Sequence, residues 1–161
     1  MLLRALDLKP GMVLADTGAG TGFLSRRMAR AVAPSGAVLA ADVQPEMLVQ
    51  LRDAAQQDGL FNVTPLLGCE TDVKLQPYSV DLSIMVDADH ELAYPDAVLA
   101  RLVKALKPGG QVVFVEYRAE DANVPIKPLH KMSEAQALGL IWIRTVETLP
   151  WQHVVVFRKA E

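Results

Sequence analysis

The sequence predicts an α/β fold: a doubly wound, mostly parallel sheet with helices on both faces and an antiparallel C-terminal hairpin. Three observations predict it. Short apolar runs alternate with segments of helical spacing along most of the 161 residues, the pattern of buried parallel strands joined by crossover helices. The first strand-to-helix turn carries three alternating glycines, Gly18, Gly20 and Gly22. The last two apolar runs are joined only by Leu149-Pro150-Trp151-Gln152, a connection that fits an antiparallel pair better than a crossover.

The elements follow in order. Val13 to Asp16 ends the apolar run that opens at Met12 and reads as a short buried strand. Gly22 to Val32 has apolar residues at helical spacing. After the Pro34-Ser35-Gly36 turn, Ala37 to Asp42 is the second strand. Pro45 to Asp58 is the second helix, with proline in its first turn and Gly59 at its end. Val63 to Leu67 and Val80 to Val86 are the third and fourth strands. Pro95 to Leu106 is a helix stopped by Pro108-Gly109-Gly110. Gln111 to Tyr117 is the fifth strand, and Ile141 to Thr148 and His153 to Arg158 are the last two. Repeats and low-complexity linkers are lacking, so residues 1–161 are expected to form a single domain.

Composition narrows the function classes. Hydrophobic residues make up 51% and charged residues 22%, which is globular rather than disordered. A net charge of −3 gives no electrostatic reason to expect a nucleic acid partner. No apolar run is long enough to span a bilayer and the N-terminus lacks a signal-peptide pattern, so the expectation is a cytoplasmic protein without a membrane partner. Cys69 is the only cysteine. It forms no internal disulfide, rules out a cysteine-built zinc site, and reads as a small buried residue near a strand end. The three histidines have no recognised metal-ligand spacing, so no metal is expected.

Asp16-Thr17-Gly18-Ala19-Gly20-Thr21-Gly22 is the most informative stretch. A turn there aims backbone N–H groups and a helix N-terminus at a ligand. Phe23 stands where a dinucleotide fingerprint would need its third glycine. Asp16 would also repel a pyrophosphate. Its carboxylate suits a cationic or zwitterionic ligand, such as an amino-acid moiety.

This stretch resembles motif I of the class I S-adenosylmethionine-dependent methyltransferases. Ala40-Ala41-Asp42-Val43-Gln44-Pro45 resembles the family's second-strand motif, and Leu106-Lys107-Pro108-Gly109-Gly110 the turn before its fifth strand. Further stretches, among them Pro125 to Met132 and Leu149 to His153, look like those of a bacterial subgroup of the family, and this similarity covers nearly the whole chain. The resemblance implies a Rossmann-like methyltransferase fold, S-adenosylmethionine as cofactor, and a small-molecule methyl acceptor. It implies roles residue by residue. Gly18, Gly20 and Gly22 let the methionine part approach, and Asp16 meets its ammonium directly or through water. Asp42 accepts hydrogen bonds from the ribose diol, and Val43 packs on the adenine. Asp72, preferred over the competing Glu70, accepts from the adenine amino group, and Val73 offers a backbone N–H to the ring.

In the family the end of the fourth strand faces the methyl group and its acceptor. Here it runs into Asp87-Ala88-Asp89-His90-Glu91, the densest polar cluster in the chain. Asp87 is grouped with the cofactor residues. His90 is the leading general-base candidate because its ordinary pKa lies near neutral; Glu91 would orient it or bind an acceptor cation. His130 is the second candidate, and His153 reads as structural.

Two departures from the family carry expectations. Only Met1 to Gly11 precede the first strand, where many members carry helices that cover the cofactor. Ser133 to Leu140 leaves room for barely two helical turns, and a shortened helix would uncover apolar sheet surface and favour a homodimer. The leading function is thus methyl transfer from S-adenosylmethionine. The alternative is a non-enzymatic module, or partner subunit, that binds S-adenosylmethionine or S-adenosylhomocysteine.

Overall fold

The computed structural model describes residues 2–86, 92–117, 138–147, 149 and 152–161. Val13–Thr17 (β1), Ala37–Asp42 (β2), Val63–Leu67 (β3), Val80–Val86 (β4), Leu106–Tyr117 (β5), Leu140–Val146 (β6) and Gln152–Lys159 (β7) form one sheet in the order β3-β2-β1-β4-β5-β7-β6. The first five run parallel to one another. β7 is antiparallel to both β5 and β6, between which it lies. The C-terminal pair is therefore the predicted hairpin, docked on the sheet through its second strand. The helices are Leu2–Ala5 (α1), Phe23–Val32 (α2), Pro45–Gln57 (α3) and Pro95–Ala105 (α4).

Buried residues follow one another along β1 and β4 rather than alternating with exposed ones, because both faces of these strands are covered. Leu14, Leu82 and Ile84 turn to one face, where Met28, Ala29 and Val32 of α2 meet them. α3 lies on the same side, with Leu48 and Leu51 against Ala40, which follows Val38 at the strand period of two. Ala15, Met85, Val112 and Phe114 turn to the opposite face, under Val98, Leu99 and Leu102 of α4. Burial of each large aliphatic side chain in these layers stabilises the fold by about 1.5–3 kcal/mol. Phe114 and Phe157 add an edge-to-face contact with ring centroids 5.9 Å apart.

From β1 the chain winds outward to β2 and β3, then returns to place β4 on the other side of β1. The winding direction therefore changes between β1 and β4. In such sheets the crevice outside the carboxyl ends of the strands at this switch point is the place for a ligand.

Differences from expectation are local. α1 has only four residues, too few to show a period in sequence. β5 begins at Leu106, ahead of the expected Gln111, because Leu106 already pairs with Val80 before the register shifts and pairing resumes between Leu82 and Gln111. Gly109 takes a φ of 73° inside that shift, where a side chain would be strained. β6 opens at Leu140 and ends at Val146, two residues short of the expected Thr148, while β7 gains one residue at each end. Of the stretch expected to hold a shortened helix, residues 133–137 fall outside the described residues.

Candidate functional site

The glycine loop after β1 is closed on itself. Gly18 and Ala19 both donate their N–H to the Ala41 carbonyl, at 2.9 and 3.0 Å, and Gly22 donates to the Ala19 carbonyl at 3.0 Å. Gly20 donates to Asp42 Oδ2 at 2.8 Å. The other Asp42 oxygen accepts the Gln44 N–H at 2.9 Å, one residue before Pro45 opens α3. The Asp42 carboxylate thus ties the loop to the start of α3. Each of its oxygens keeps a further lone pair for a ligand.

This hydrogen-bond pattern decides what the loop can hold. A phosphate cradle needs a row of free N–H groups. Here those of Gly18, Ala19, Gly20 and Gly22 are already engaged, that of Gly20 by the Asp42 carboxylate. The site therefore offers acceptors, which suit hydroxyl and ammonium donors rather than a pyrophosphate. Gly18 and Gly20 adopt φ of 74° and 54°, and an added Cβ at Gly20 would meet nothing within 4 Å. Glycine is needed at Gly20 for its backbone conformation rather than for lack of space.

A cleft of about 330 Å³ opens at this point, across the carboxyl ends of β2, β1 and β4. Its size falls within the range of small-molecule sites. Gly18, Gly20, Asp42, Val43 and Val73 line it, as do several residues that the sequence did not mark as binding residues: Thr17, Met47, Cys69, Val86, Leu92 and Val98. Val43 is half exposed and Val73 is buried, so an apolar surface flanks the β2–β3 side. Val86, Leu92 and Val98 make the β4 side apolar as well. Thr17 was legible in principle, since it continues the face of Ala15 at the strand period. Met47, Leu92 and Val98 enter only through tertiary packing, which carries no short-range signal.

Three expected binding residues lie just outside the lining. Asp16 is buried on the α2 side of the sheet, where its Oδ2 accepts the Ser25 hydroxyl at 2.5 Å. Burial pushes its carboxyl up to about 6; the Ser25 hydrogen bond opposes this and the Asp42 charge adds to it. Gly22 caps α2 with a φ of 80°. Asp72 turns its Oδ1 to the Lys74 N–H at 2.8 Å, and that hydrogen bond holds its carboxyl below the usual range. Glu70 is exposed. Asp87, His90, Glu91 and His130 lie outside the described residues.

Cys69 corrects an expectation. It is exposed rather than buried, because the chain leaves the sheet at Leu67 and crosses the cleft rim before turning back at the Cys69–Asp72 bridge. Hydrogen bonds from the Thr71 backbone and side chain hold its thiol below the usual thiol range. His153 is buried, paired in register with Glu116 across β5 and β7. Among the described residues no group of three or more His, Cys, Asp or Glu side chains gathers as metal ligands. Nor is any helix there long and apolar enough to cross a membrane.

A methyltransferase domain model matches residues 14–110, more than half of the chain and the whole of the site described above. The chain belongs to the methyltransferase domain family. Among its relatives is the ubiquinone/menaquinone biosynthesis C-methyltransferase UbiE of Burkholderia vietnamiensis, 33% identical over 112 residues, which are 69% of this chain and 45% of that protein. The corresponding UbiE of Cupriavidus metallidurans is 27% identical over 90% of this chain and 54% of its own length. The chain thus spans about half the length of the curated relatives it matches. In structure it resembles a SAM-dependent methyltransferase from Aquifex aeolicus, with a TM-score of 0.88 and 27% identity, covering 98% of this chain and 87% of that one. The cofactor implied for this methyltransferase domain is S-adenosylmethionine. The acceptor-rich loop centre, the Asp42 carboxylate and the apolar flanks fit its ribose hydroxyls, ammonium and adenine.

Proposed function

We propose that the chain transfers the methyl group of S-adenosylmethionine to a small apolar acceptor. The observation that carries this reading is the Asp42 carboxylate set between the glycine loop and the start of α3, at the mouth of an apolar cleft. When bound, the cofactor supplies an electrophilic methyl group on a sulfonium, ready for in-line displacement. The chain's own residues then bind, align and exclude water. Asp42 accepts from the ribose hydroxyls through its remaining lone pairs. Val43 and Val73 hold the adenine between them, with Asp72 at the edge of the ring. Gly18 and Gly20 allow the methionine part to approach, and the Asp16 carboxyl contributes negative charge from behind the loop. Val86, Leu92 and Val98 keep the reacting end dry. His90, with Glu91 next to it in sequence to orient it, is the proposed base for an acceptor proton, and His130 the second choice.

The relatives' names point to a quinone-type ring carbon as acceptor, and the apolar β4 side of the cleft is compatible with such a ring. The test is transfer of labelled methyl from S-adenosylmethionine to a panel of hydroquinones and other small aromatic acceptors. Label recovered in an organic-extractable product is the expected result. Cofactor binding with no transfer to any acceptor, or to a cell extract, would overturn the reading in favour of a binding module.

A further inference from the structure

Thr17 ends β1, directly before the first glycine of the loop, and is 4% exposed. Its Oγ1 is buried and has no hydrogen-bond partner. Buried hydroxyls are nearly always paired, and one that is not calls for a specific explanation. Thr17 also lines the cleft. Ser83 provides the contrast. Its hydroxyl is likewise buried without a partner, but it pairs with Ala15, one row deeper than the Thr17–Met85 pair, and is not among the residues lining the cleft.

Thr17 shares the face of Ala15, the α4 side of the sheet, and pairs with Ala41 on β2 and Met85 on β4. Across the strand ends the order is Asp42 on β2, Thr17 and Gly18 on β1, and Val86 on β4. A ligand with its ribose at Asp42 and its reactive end at Val86 lays its middle over Thr17. In S-adenosylmethionine the sulfonium joins the ribose C5′ to the reactive methyl, and the amino-acid arm branches from it at this point; that arm carries both donors and acceptors. A threonine hydroxyl both donates and accepts. Rotation about χ1 between staggered wells exchanges it with the methyl group.

We infer that Thr17 is a cofactor-binding residue whose hydroxyl finds its missing partner on the amino-acid half of S-adenosylmethionine. This rests on the proposed cofactor reading and adds a prediction that reading does not make. The hydroxyl is a liability to the free protein and an asset to the complex. Thr17→Val keeps the shape and removes the hydroxyl. Without ligand it should melt at the same temperature as wild type or higher, because a buried unpaired polar group is lost. It should bind S-adenosylhomocysteine roughly three- to tenfold more weakly, the loss of one hydrogen bond. Thr17→Ser should bind within about twofold of wild type, since it retains that hydrogen bond.

The experiment is calorimetric titration and ligand-free melting of the full chain in these three forms. The ligands are S-adenosylhomocysteine and 5′-methylthioadenosine, which lacks the amino-acid arm. Equal affinity of Thr17→Val and wild type for S-adenosylhomocysteine overturns the inference, as does a lower melting temperature of the free variant. An equal loss for 5′-methylthioadenosine overturns the assignment to the amino-acid half. A wild type that binds neither ligand removes the cofactor reading itself, and this inference with it.

Discussion

Asp16 and Asp42 stand at the ends of adjacent parallel strands and do opposite things with the same functional group. Asp42 faces the cleft and is only partly buried, whereas Asp16 turns its carboxyl under the sheet to Ser25. The folded Asp16 carboxyl ionises near 6, above the value of about 3.9 expected in the unfolded chain. Between these values the folded state holds more protons than the unfolded state, so the group's contribution to stability falls as pH rises through that window. The cost is absent below about pH 4 and complete above about pH 6. Asp16→Asn keeps an acceptor for Ser25 and removes the charge. Relative to wild type it should gain on the order of 2–3 kcal/mol on passing from pH 4 to pH 7. Urea midpoints at the two pH values check this, and parallel pH dependence of the two proteins would contradict it. Which side of the sheet each carboxyl faces follows from the strand period. That one is buried beside a serine nine residues away depends on packing between β1 and α2, which residue types alone do not reveal. Cys69 is exposed against expectation for the same reason: its hydrophobic character is visible in sequence, but the path of the chain over the cleft rim is not.

Helices α2 and α3 meet at the glycine loop, and Gly22 sets how closely they approach. A Cβ added there would lie 2.6 Å from Leu51 Cγ, on a backbone with a φ of 80°. Gly22→Ala is therefore expected to cost about 1–3 kcal/mol through overpacking and backbone strain. Leu51→Ala alone should cost about 2–5 kcal/mol, since Leu51 is fully buried. Combined, the two should cost clearly less than their sum, because removing the leucine relieves the clash but not the φ. Denaturant unfolding of both single variants and the double variant measures the coupling, and strict additivity would contradict it. The strands were the most legible elements. Ala37–Asp42, Val63–Leu67 and Val80–Val86 coincide with their expected bounds; in β2 and β4 apolar residues dominate because both faces are covered, whereas β3 is an edge strand with no fully buried residue. β5 was less legible, because Lys107-Pro108-Gly109-Gly110 reads as a stop while the chain makes a register shift and keeps pairing on either side of it.

On the scale of the whole molecule, the doubly wound order places the glycine loop, the Asp42 carboxylate and the apolar end of β4 at one switch point. That placement follows from topology, which alternating strands and helices already predict. The cleft's outer wall does not, because Leu92, Val98 and Met47 arrive from separate parts of the chain. A ligand that binds only the folded state raises stability by about 2.7 kcal/mol at a hundredfold excess over its Kd, so occupancy of this cleft should also appear as a higher melting temperature. The most direct measurement is calorimetric titration of the full chain and of Asp42→Asn with S-adenosylhomocysteine. Asp42→Asn retains an acceptor for the glycine loop and loses the charge proposed to bind the ribose. Binding at one site per chain by wild type, weakened roughly 10- to 100-fold in the variant as for a hydrogen-bonded charge, is the predicted result. Equal affinity of the two proteins, or no binding by wild type, would contradict the assignment of this cleft to the cofactor.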